Sequence, residues 1–489
     1  MMKMEEEDRI SSLPDEILAH ILSFLELRDA FRTCLLSRRW EKIWTLTQTL
    51  NLNLNSSMGE ESIDFINKVS TLHDRILPVK SFSLSCKMGC SYYFFHKKVS
   101  NLMEWMGAVT TQNFEKFSFR IACGGMFPAI KMPPALFQCQ KLVTLNLDCT
   151  WKAVICLDVP ETVCFSSLKN LRLAKVLLED ENKSLTNLFS GCPVLEELYV
   201  EIELSAFDFK QNRKFSVVSP SLKILRWKRR VDSECFGSFY VVEAPKLEFL
   251  DIEEHSLLGF SMSASPSLVS AVIHIRSALC YSSTISLMEL FQAISNVRRL
   301  ELSTLHKFMV KEELDNLPEF CDLIHLKVGS CVDWHFVDSI LQHSPHLKHL
   351  IFDKDHFVHG PLTWRPPESV PLCLVSRIET IEIVAAGDPE HTDYVTEMIL
   401  YLLQNGKVLK KMVITPFACK DFLMELRVYP KASIGCKIEF SEFPNGDTEQ
   451  VFSDSLIGNS IIACYDRLDS KHELIFCLMN PLWSLDCFL

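Results

Sequence analysis

Two hydrophobic periods alternate along this chain. From Asp8 to Trp44 the apolar residues keep helical spacing, and beyond about residue 75 they fall into short alternating runs separated by turn residues. In the first stretch Ile17, Leu18, Ile21, Leu22 and Leu25 recur at i, i+1, i+4, i+5 and i+8, one face of a helix. Pro14 suits its first turn, where a missing N–H costs nothing, and Asp15 and Glu16 sit at the positive end of the dipole. A second short helix is expected from Asp29 to Leu35. A third, capped by Ser37, places Trp40, Ile43 and Trp44 on one side. Three helices this short cannot bury all of these residues among themselves, so some apolar surface is left for a partner.

The second stretch repeats. The template L-x-x-L-x-L, with other apolar residues allowed at its fixed places, occurs thirteen times. Its first fixed positions are Val79, Phe114, Leu142, Leu168, Leu195, Leu222, Leu247, Leu268, Val297, Leu323, Leu347, Ile378 and Leu409, at intervals of 21 to 35 residues. The copy at Leu268 is poor, with Ala271 in its second slot. Each copy predicts a short strand followed by a helical or irregular return, and one such unit cannot bury its own apolar face. Neighbours must therefore stack into a solenoid. Five copies carry proline two residues before the first fixed position: Pro193, Pro220, Pro245, Pro266 and Pro345. Proline donates no ladder bond and forces its predecessor to be extended, which fits the corner before a strand. The slot where regular leucine-rich repeats keep Asn or Cys holds no Asn and one Cys, Cys331, so the solenoid is irregular.

Composition narrows the class. Apolar residues make up 48% and charged residues 23% of 489, the balance of a folded chain with a large core. Fifty Lys and Arg against 62 Asp and Glu give a net charge of −12, so neither a nucleic-acid nor a membrane partner is expected. The 19 cysteines, an odd number with no C-x-x-C pair, read as small buried hydrophobes of a reducing compartment. The N-terminus MMKMEEEDRI is no secretory signal, and the longest apolar runs are the six residues Met398–Leu403 and Leu474–Met479. The chain is thus expected to be soluble, cytoplasmic and/or nuclear.

The sequence D-R-I-S-S-L-P-D-E-I-L-A-H-I-L-S-F-L, followed by T-C-L-L-S-R-R-W-E-K-I-W, resembles the F-box of plant F-box proteins that carry leucine-rich repeats. L-P-D, I-L-S-F-L and L-S-R-R-W all fall at the family's spacing. Where relatives commonly read F-L-P-T-K, this chain reads Phe24-Leu25-Glu26-Leu27-Arg28, a departure that bears on the first interhelical turn. The resemblance implies docking of a Skp-type adaptor, and through it a cullin and a RING subunit. Carried over by position, Leu13, Pro14, Ile17, Leu18, Ile21, Leu22, Leu36 and Trp40 would form or support the adaptor-binding face. Further on, V-P-L-C-L from Val370, the helix-like run Tyr394–Leu403 stopped by Asn405-Gly406, and L-K-K-M from Leu409 resemble the FBD domain that closes many such proteins. That resemblance covers Pro366 to Ser441 and implies a strand–helix–strand cap over the last repeat.

The predicted architecture is α/β: a short three-helix F-box (8–50), an irregular leucine-rich-repeat solenoid (75–365), a C-terminal α/β FBD cap (366–441) and an unassigned apolar tail (442–489). On each repeat strand the third, fifth and seventh template residues face away from the core. They include Asp148, Arg172 and Lys327, and they supply the substrate-binding candidates Glu197, Tyr199, Glu201, Arg226, Lys228, Phe249, Asp251 and Glu253. Side-by-side acidic and basic stripes with isolated aromatics suit a polypeptide of complementary charge.

Catalytic chemistry is not legible. No P-loop, G-x-G-x-x-G, G-x-S-x-G, H-E-x-x-H or EF-hand pattern occurs. The histidines His343, His346, His349, His356 and His359 span a helix end, a proline corner and a strand, which scatters their rings, so neither metal nor cofactor is expected. The run Arg226–Arg230 lies on a repeat strand and reads as a solvated face rather than a nuclear signal. The family resemblance implies a non-catalytic substrate-recognition subunit of a Skp–cullin–F-box (SCF) E3 ubiquitin ligase, its repeats and FBD region holding a target protein for ubiquitination. The residues leave two alternatives open: an adaptor-independent repeat scaffold with a degenerate F-box, and a ligand-gated receptor with a deep pocket on the repeat face.

Overall fold

The computed structural model describes residues 9–54, 79–88, 114–123, 130–151, 155–178, 181–203, 213–230, 237–254, 257–275, 284–303, 314–329, 334–354, 366–385, 392–415, 426 and 429–440. The chain forms two compact units, Met1–Glu439 and Phe440–Leu489, and all that follows except Phe440 belongs to the first. The tail after Ser441 lies outside the described residues.

The N-terminal segment folds as α1 (Asp15–Leu22), α2 (Leu27–Arg32) and α3 (Trp40–Ile43), the latter two extended by single 3-10 turns. The second helix begins two residues earlier than its sequence suggests. The Ser37 side chain does not cap α3; its carbonyl instead accepts from the amides of Trp40 and Glu41 at 3.0 and 3.3 Å. Leu18, Leu22, Leu27, Ala30, Trp40, Ile43 and Trp44 are buried, with Phe31 edge-on to Trp44 at 5.3 Å.

All thirteen template copies become strands of one fifteen-stranded sheet. Its first strand, β1 (Thr49–Leu54), follows the helices, and each successive neighbour through β20 (Lys411–Ile414) runs parallel to the one before. β21 (Lys437–Phe440) ends the sheet. Every one of the thirteen first fixed positions is 5% exposed or less, because alternation along a strand sends that residue and its L-x-L successors inward. The poor copy at Leu268 pairs in register with its neighbours, and Ala271 is fully buried in its slot.

A common turn leads into these strands. In the proline copies the amide of the first fixed residue donates to the carbonyl three residues back: Leu195 to Cys192, Leu222 to Ser219, Leu247 to Ala244, Leu268 to Ser265 and Leu347 to Ser344, at 3.0–3.3 Å. Proline occupies the second place of each turn, where its fixed φ is already correct. Copies without proline make the same bond, such as Leu168 to Phe165 at 3.2 Å.

β1 escapes the template because its first slot is Thr47, 2% exposed, which satisfies its hydroxyl on the Trp44 carbonyl at 2.8 Å. The returns also differ from expectation. Some are helical, including α4 (Glu181–Ser190), α5 (Thr284–Ala293) and α6 (Trp334–Gln342). Others are strands of two small parallel sheets: β4 (Ile130–Lys131), β6 (Ile155–Leu157) and β8 (Val176–Leu178), and β10 (Arg213–Val218), β12 (Ser238–Glu243) and β14 (Leu257–Met262).

The expected C-terminal strand–helix–strand unit stacks on the last repeat. It prolongs the sheet: after the short helix α7 (Leu372–Ser376), β19 (Thr380–Ala385) pairs with β18 (His349–Lys354), and helix α8 (Thr392–Asn405) returns to β20. The reason is that Ile378, Ile381 and Ile383, then Leu409, Met412 and Ile414, keep the buried slots of the repeat template. Gly406 ends α8 where a Cβ would lie 2.9 Å from the Leu402 carbonyl.

Candidate functional site

Two surfaces stand out, one on the helical segment and one on the sheet face turned from the core. On the helices, Ile17 and Ile21 are 47% and 40% exposed and Leu36 is 68% exposed, with Pro14 exposed and Leu13 half-buried. Leu18, Leu22 and Trp40 are interior, so they can support this face but do not line it. The apolar stripe is wide enough to serve both sides of α1, which is why spacing alone merged the two sets. Ile10, Phe24, Leu25 and Leu35 are also exposed, up to 85% at Leu35, and were missed. Runs such as Phe24-Leu25 and Leu35-Leu36 were the available signal, since adjacent apolar residues on a short helix cannot all point inward.

The motif residues between these hydrophobes position them. Arg39 donates from its guanidinium to the carbonyls of Ser11 and Leu13, and its Nε meets Asp15 Oδ1 at 2.9 Å. Trp40 Nε1 donates to Ser11 Oγ at 3.0 Å. R-W of the third helix thus clamps the S-L-P-D segment in front of α1. Glu26, which replaces the family's proline, has φ −63° and ψ 142°, within the range proline itself would adopt. The interhelical turn therefore keeps a proline-like course. The Glu26 side chain accepts from Asn53 Nδ2 at 2.9 Å and so ties the helices to β1.

On the open face of the sheet, register places the candidate residues in rows. One row runs Asn146, Arg172, Tyr199, Arg226, Asp251, and beside it lie Asp148, Ala174, Glu201, Lys228, Glu253. Glu197 and Phe249 occupy a third row on either side of Ile224. All eight candidates share this face, but they are not equally available. Glu201, Asp251 and Glu253 are 5–9% exposed, whereas Glu197 is exposed and Tyr199, Arg226, Lys228 and Phe249 are intermediate. Strands about 4.8 Å apart press each side chain against its row neighbours.

Most of these charges are engaged with one another. Asp148 meets Arg120 at 3.4 Å and Arg172 at 3.8 Å. Arg172 also lies 3.8 Å over the Tyr199 ring, and the Tyr199 hydroxyl donates to Glu201 at 2.8 Å. Burial, reinforced by Glu201, pushes the Tyr199 phenol up to about 12, so it remains a donor. Lys228 sits between Asp251 and Glu253 at 3.9 and 3.6 Å. Burial raises the Asp251 carboxyl, whose Oδ1 is buried without a hydrogen bond. Farther along, Lys327 bridges Glu301 and Asp353 at 3.1 and 2.7 Å. Between β5 (Thr144–Trp151) and β11 (Ile224–Arg230) the face holds an open hollow of about 220 Å³, lined by Asn146, Arg172, Glu197, Tyr199, Ile224 and Arg226 among others.

One reading of a charge cluster changes. Arg226–Arg230 is not simply a solvated face: Arg229 points inward, 1% exposed, and pairs with Glu254 at 3.1 Å. Of the histidines, His343 binds the Ser339 carbonyl, and His349 stacks on His325 at 4.3 Å; His356 and His359 lie outside the described residues, as does Cys331. Among the described residues no group of three or more His, Cys, Asp and Glu is arranged to hold a metal, and no helix is long and apolar enough to cross a membrane.

Comparison with known proteins matches three family models along the chain. The F-box domain matches residues 10–49. The repeats described for the FBD-associated F-box protein At5g56370 match residues 102–278, and FBD matches residues 365–414. The chain is 32% identical over 435 residues to an Arabidopsis thaliana protein named as an FBD-associated F-box protein, At5g50270, covering 84% of this chain and 97% of the relative. It is 29% identical over 453 residues to the Arabidopsis thaliana F-box/FBD/LRR-repeat protein At4g26340, covering 88% and 100% respectively. It is also 29% identical over 414 residues to the FBD-associated F-box protein At5g60610 of the same plant, covering 82% and 98%.

Proposed function

This chain belongs to the plant F-box/FBD/LRR-repeat family, and from that premise we propose that it is the substrate-recognition subunit of an SCF E3 ubiquitin ligase. The N-terminal helices hold a Skp-type adaptor, which links to a cullin and a RING subunit, and the open face of the repeats holds a target protein. The observation that carries this reading is the exposure of the large apolar side chains Ile17, Ile21, Leu35 and Leu36 within one short helical segment. Leu13 and Pro14 join that face, held by Arg39, while Leu18, Leu22 and Trp40 fix its shape from inside. The proposed organisation is an F-box at 8–50, repeats at 75–365 and an FBD region at 366–441, acting in the cytoplasm and/or nucleus.

No residue of this chain performs bond chemistry in this scheme. Its contribution is proximity: a tethered target lysine meets the charged conjugating enzyme at an effective concentration of roughly millimolar instead of by free encounter. Co-purification of the full chain with a Skp-type adaptor tests the reading, beside Leu13→Ala/Pro14→Ala and Leu36→Arg variants. Capture by the parent chain and weakened capture by the variants support it. A well-folded parent chain that captures no adaptor would leave the scaffold reading in its place.

A further inference from the structure

We propose that the hollow between β5 and β11 is a subsite for an extended peptide that presents one acidic and one basic side chain two residues apart, the acid to Arg226 and the base to Glu197. This rests on the receptor reading above and supplies the chemistry of the segment the receptor holds.

The argument begins with the charges that remain once internal pairs are removed. Asp148 is engaged by Arg120 and Arg172, Glu201 by the Tyr199 hydroxyl, and Asp251 and Glu253 by Lys228. Arg226 and Glu197 are left over. Among the described residues neither has an ion pair or hydrogen bond. Arg226 is partly withdrawn from water and lies 4.8 Å over the Phe249 ring, which restrains its planar group. Its charge also acts on the neighbouring Asp251, although the two are not within ion-pair distance. A restrained guanidinium loses little freedom on taking a carboxylate in a two-bond fork. Glu197, exposed on the neighbouring strand, offers the opposite charge.

Register sets the spacing. Glu197 is paired with Ile224, and Arg226 lies two residues farther along the same strand. One strand across and two residues along separates the backbones by about 8 Å. In an extended peptide, residues i and i+2 face the same way about 6.7 Å apart, and two long side chains easily span the remainder. The hollow beneath, about 220 Å³, is smaller than the roughly 300–1,000 Å³ of drug-sized ligand pockets, yet holds one protein side chain. Charge order along the peptide then fixes its direction, and two like charges are repelled at one end whichever way the peptide lies.

The test uses the full chain with four sets of labelled extended nonapeptides, whose two central test positions, i and i+2, carry acid and base, acid and acid, base and base, or two alanines. Fluorescence anisotropy should rank the acid/base set about tenfold tighter than either like-charged set. Arg226→Glu should move the preference to the base/base set, Glu197→Lys to the acid/acid set, and the double reversal should restore acid/base. Neither substitution breaks an ion pair, but Arg226→Glu gives up the Phe249 contact and places a like charge beside Asp251. A urea melt of each variant is therefore read alongside binding, and the regained acid/base preference of the double reversal separates recognition from misfolding. Equal binding of all four sets, or an unchanged preference in Arg226→Glu, overturns the inference. Adaptor capture is measured on the same samples. Lost discrimination with capture intact removes this subsite and leaves the receptor reading standing; discrimination without capture does the reverse.

Discussion

Replacing Glu254 by leucine should be among the most damaging single changes in the repeat region, and two further changes should undo the damage. Glu254 is fully buried and faces Arg229, 1% exposed, on the adjacent strand at 3.1 Å. Arg229 Nη1 also donates to Ser238 Oγ at 2.7 Å, and the Tyr240 hydroxyl donates to the other oxygen of Glu254. Burial beside that carboxylate holds the Tyr240 phenol well above its usual range, so it stays a donor. The cluster joins β11 and β13 (Phe249–Glu254) of the large sheet to the return strand β12, behind Trp227 and Phe215, whose rings are 5.0 Å apart. Glu254→Leu leaves a buried guanidinium without its anion, at a cost of about 3–5 kcal/mol. Arg229→Met added to it removes the charge but strands the Tyr240 hydroxyl, leaving a cost of about 1–3 kcal/mol. Adding Tyr240→Phe should bring the protein to within about 1–2 kcal/mol of the parent, since apolar replacement of such a network is close to neutral and only the buried Ser238 hydroxyl then loses its partners. Because repeat arrays open locally, native-state hydrogen exchange of peptides spanning 224–230 and 249–254 is the appropriate assay, with urea melts of the full chain beside it. A single variant costing less than about 1 kcal/mol, or a triple variant as unstable as the single, would refute the reasoning.

Three other outcomes are expected. Leu36→Arg should weaken adaptor capture by about 2–4 kcal/mol with no change in melting, while Leu18→Ala should lower stability by about 2–5 kcal/mol; equal loss of stability in both would erase the distinction between docking and interior residues. Glu196 is held down at about 2, chiefly by its hydrogen bond with Lys223 and then Lys169, at 2.8 and 2.9 Å. Its folded pKa is depressed, so its stabilisation is present above about pH 4.5 and fades as pH falls toward 2; Glu196→Gln should flatten the urea midpoint over that window, and an unchanged slope would contradict it. Burial pushes the thiols of Cys192 and Cys373 up to about 12, so timed alkylation with mass spectrometry should find exposed Cys321 modified while both remain intact.

Much of the scaffold was legible because one local rule generates it. A strand's two-residue period decides which side chains enter the core, and a turn closed by the first fixed residue sets where each strand begins. Leu142, Leu195 and Leu347 could thus be assigned inward from sequence, and even Leu268 held its place beside the small Ala271. Thr47 shows the limit of pattern matching: a polar residue can fill an apolar slot when a neighbouring carbonyl takes its hydrogen bond. The docking face was half legible, because core and interface both select apolar residues; only the packing of the helical segment separates buried Leu22 from exposed Ile21.

Sequence by itself therefore determined the repeat, the face each strand residue occupies and the family. Tertiary structure decided which of those residues are still available. Side chains from successive strands meet across about 4.8 Å after 20 or more residues of intervening chain, so no local pattern reports their pairing. That contact neutralised Lys228, turned Arg229 into a buried partner of Glu254 and made the FBD region a continuation of the sheet. It also left Arg226 and Glu197, among the described residues, without an ion pair on a face where Asp148 and Lys228 have theirs.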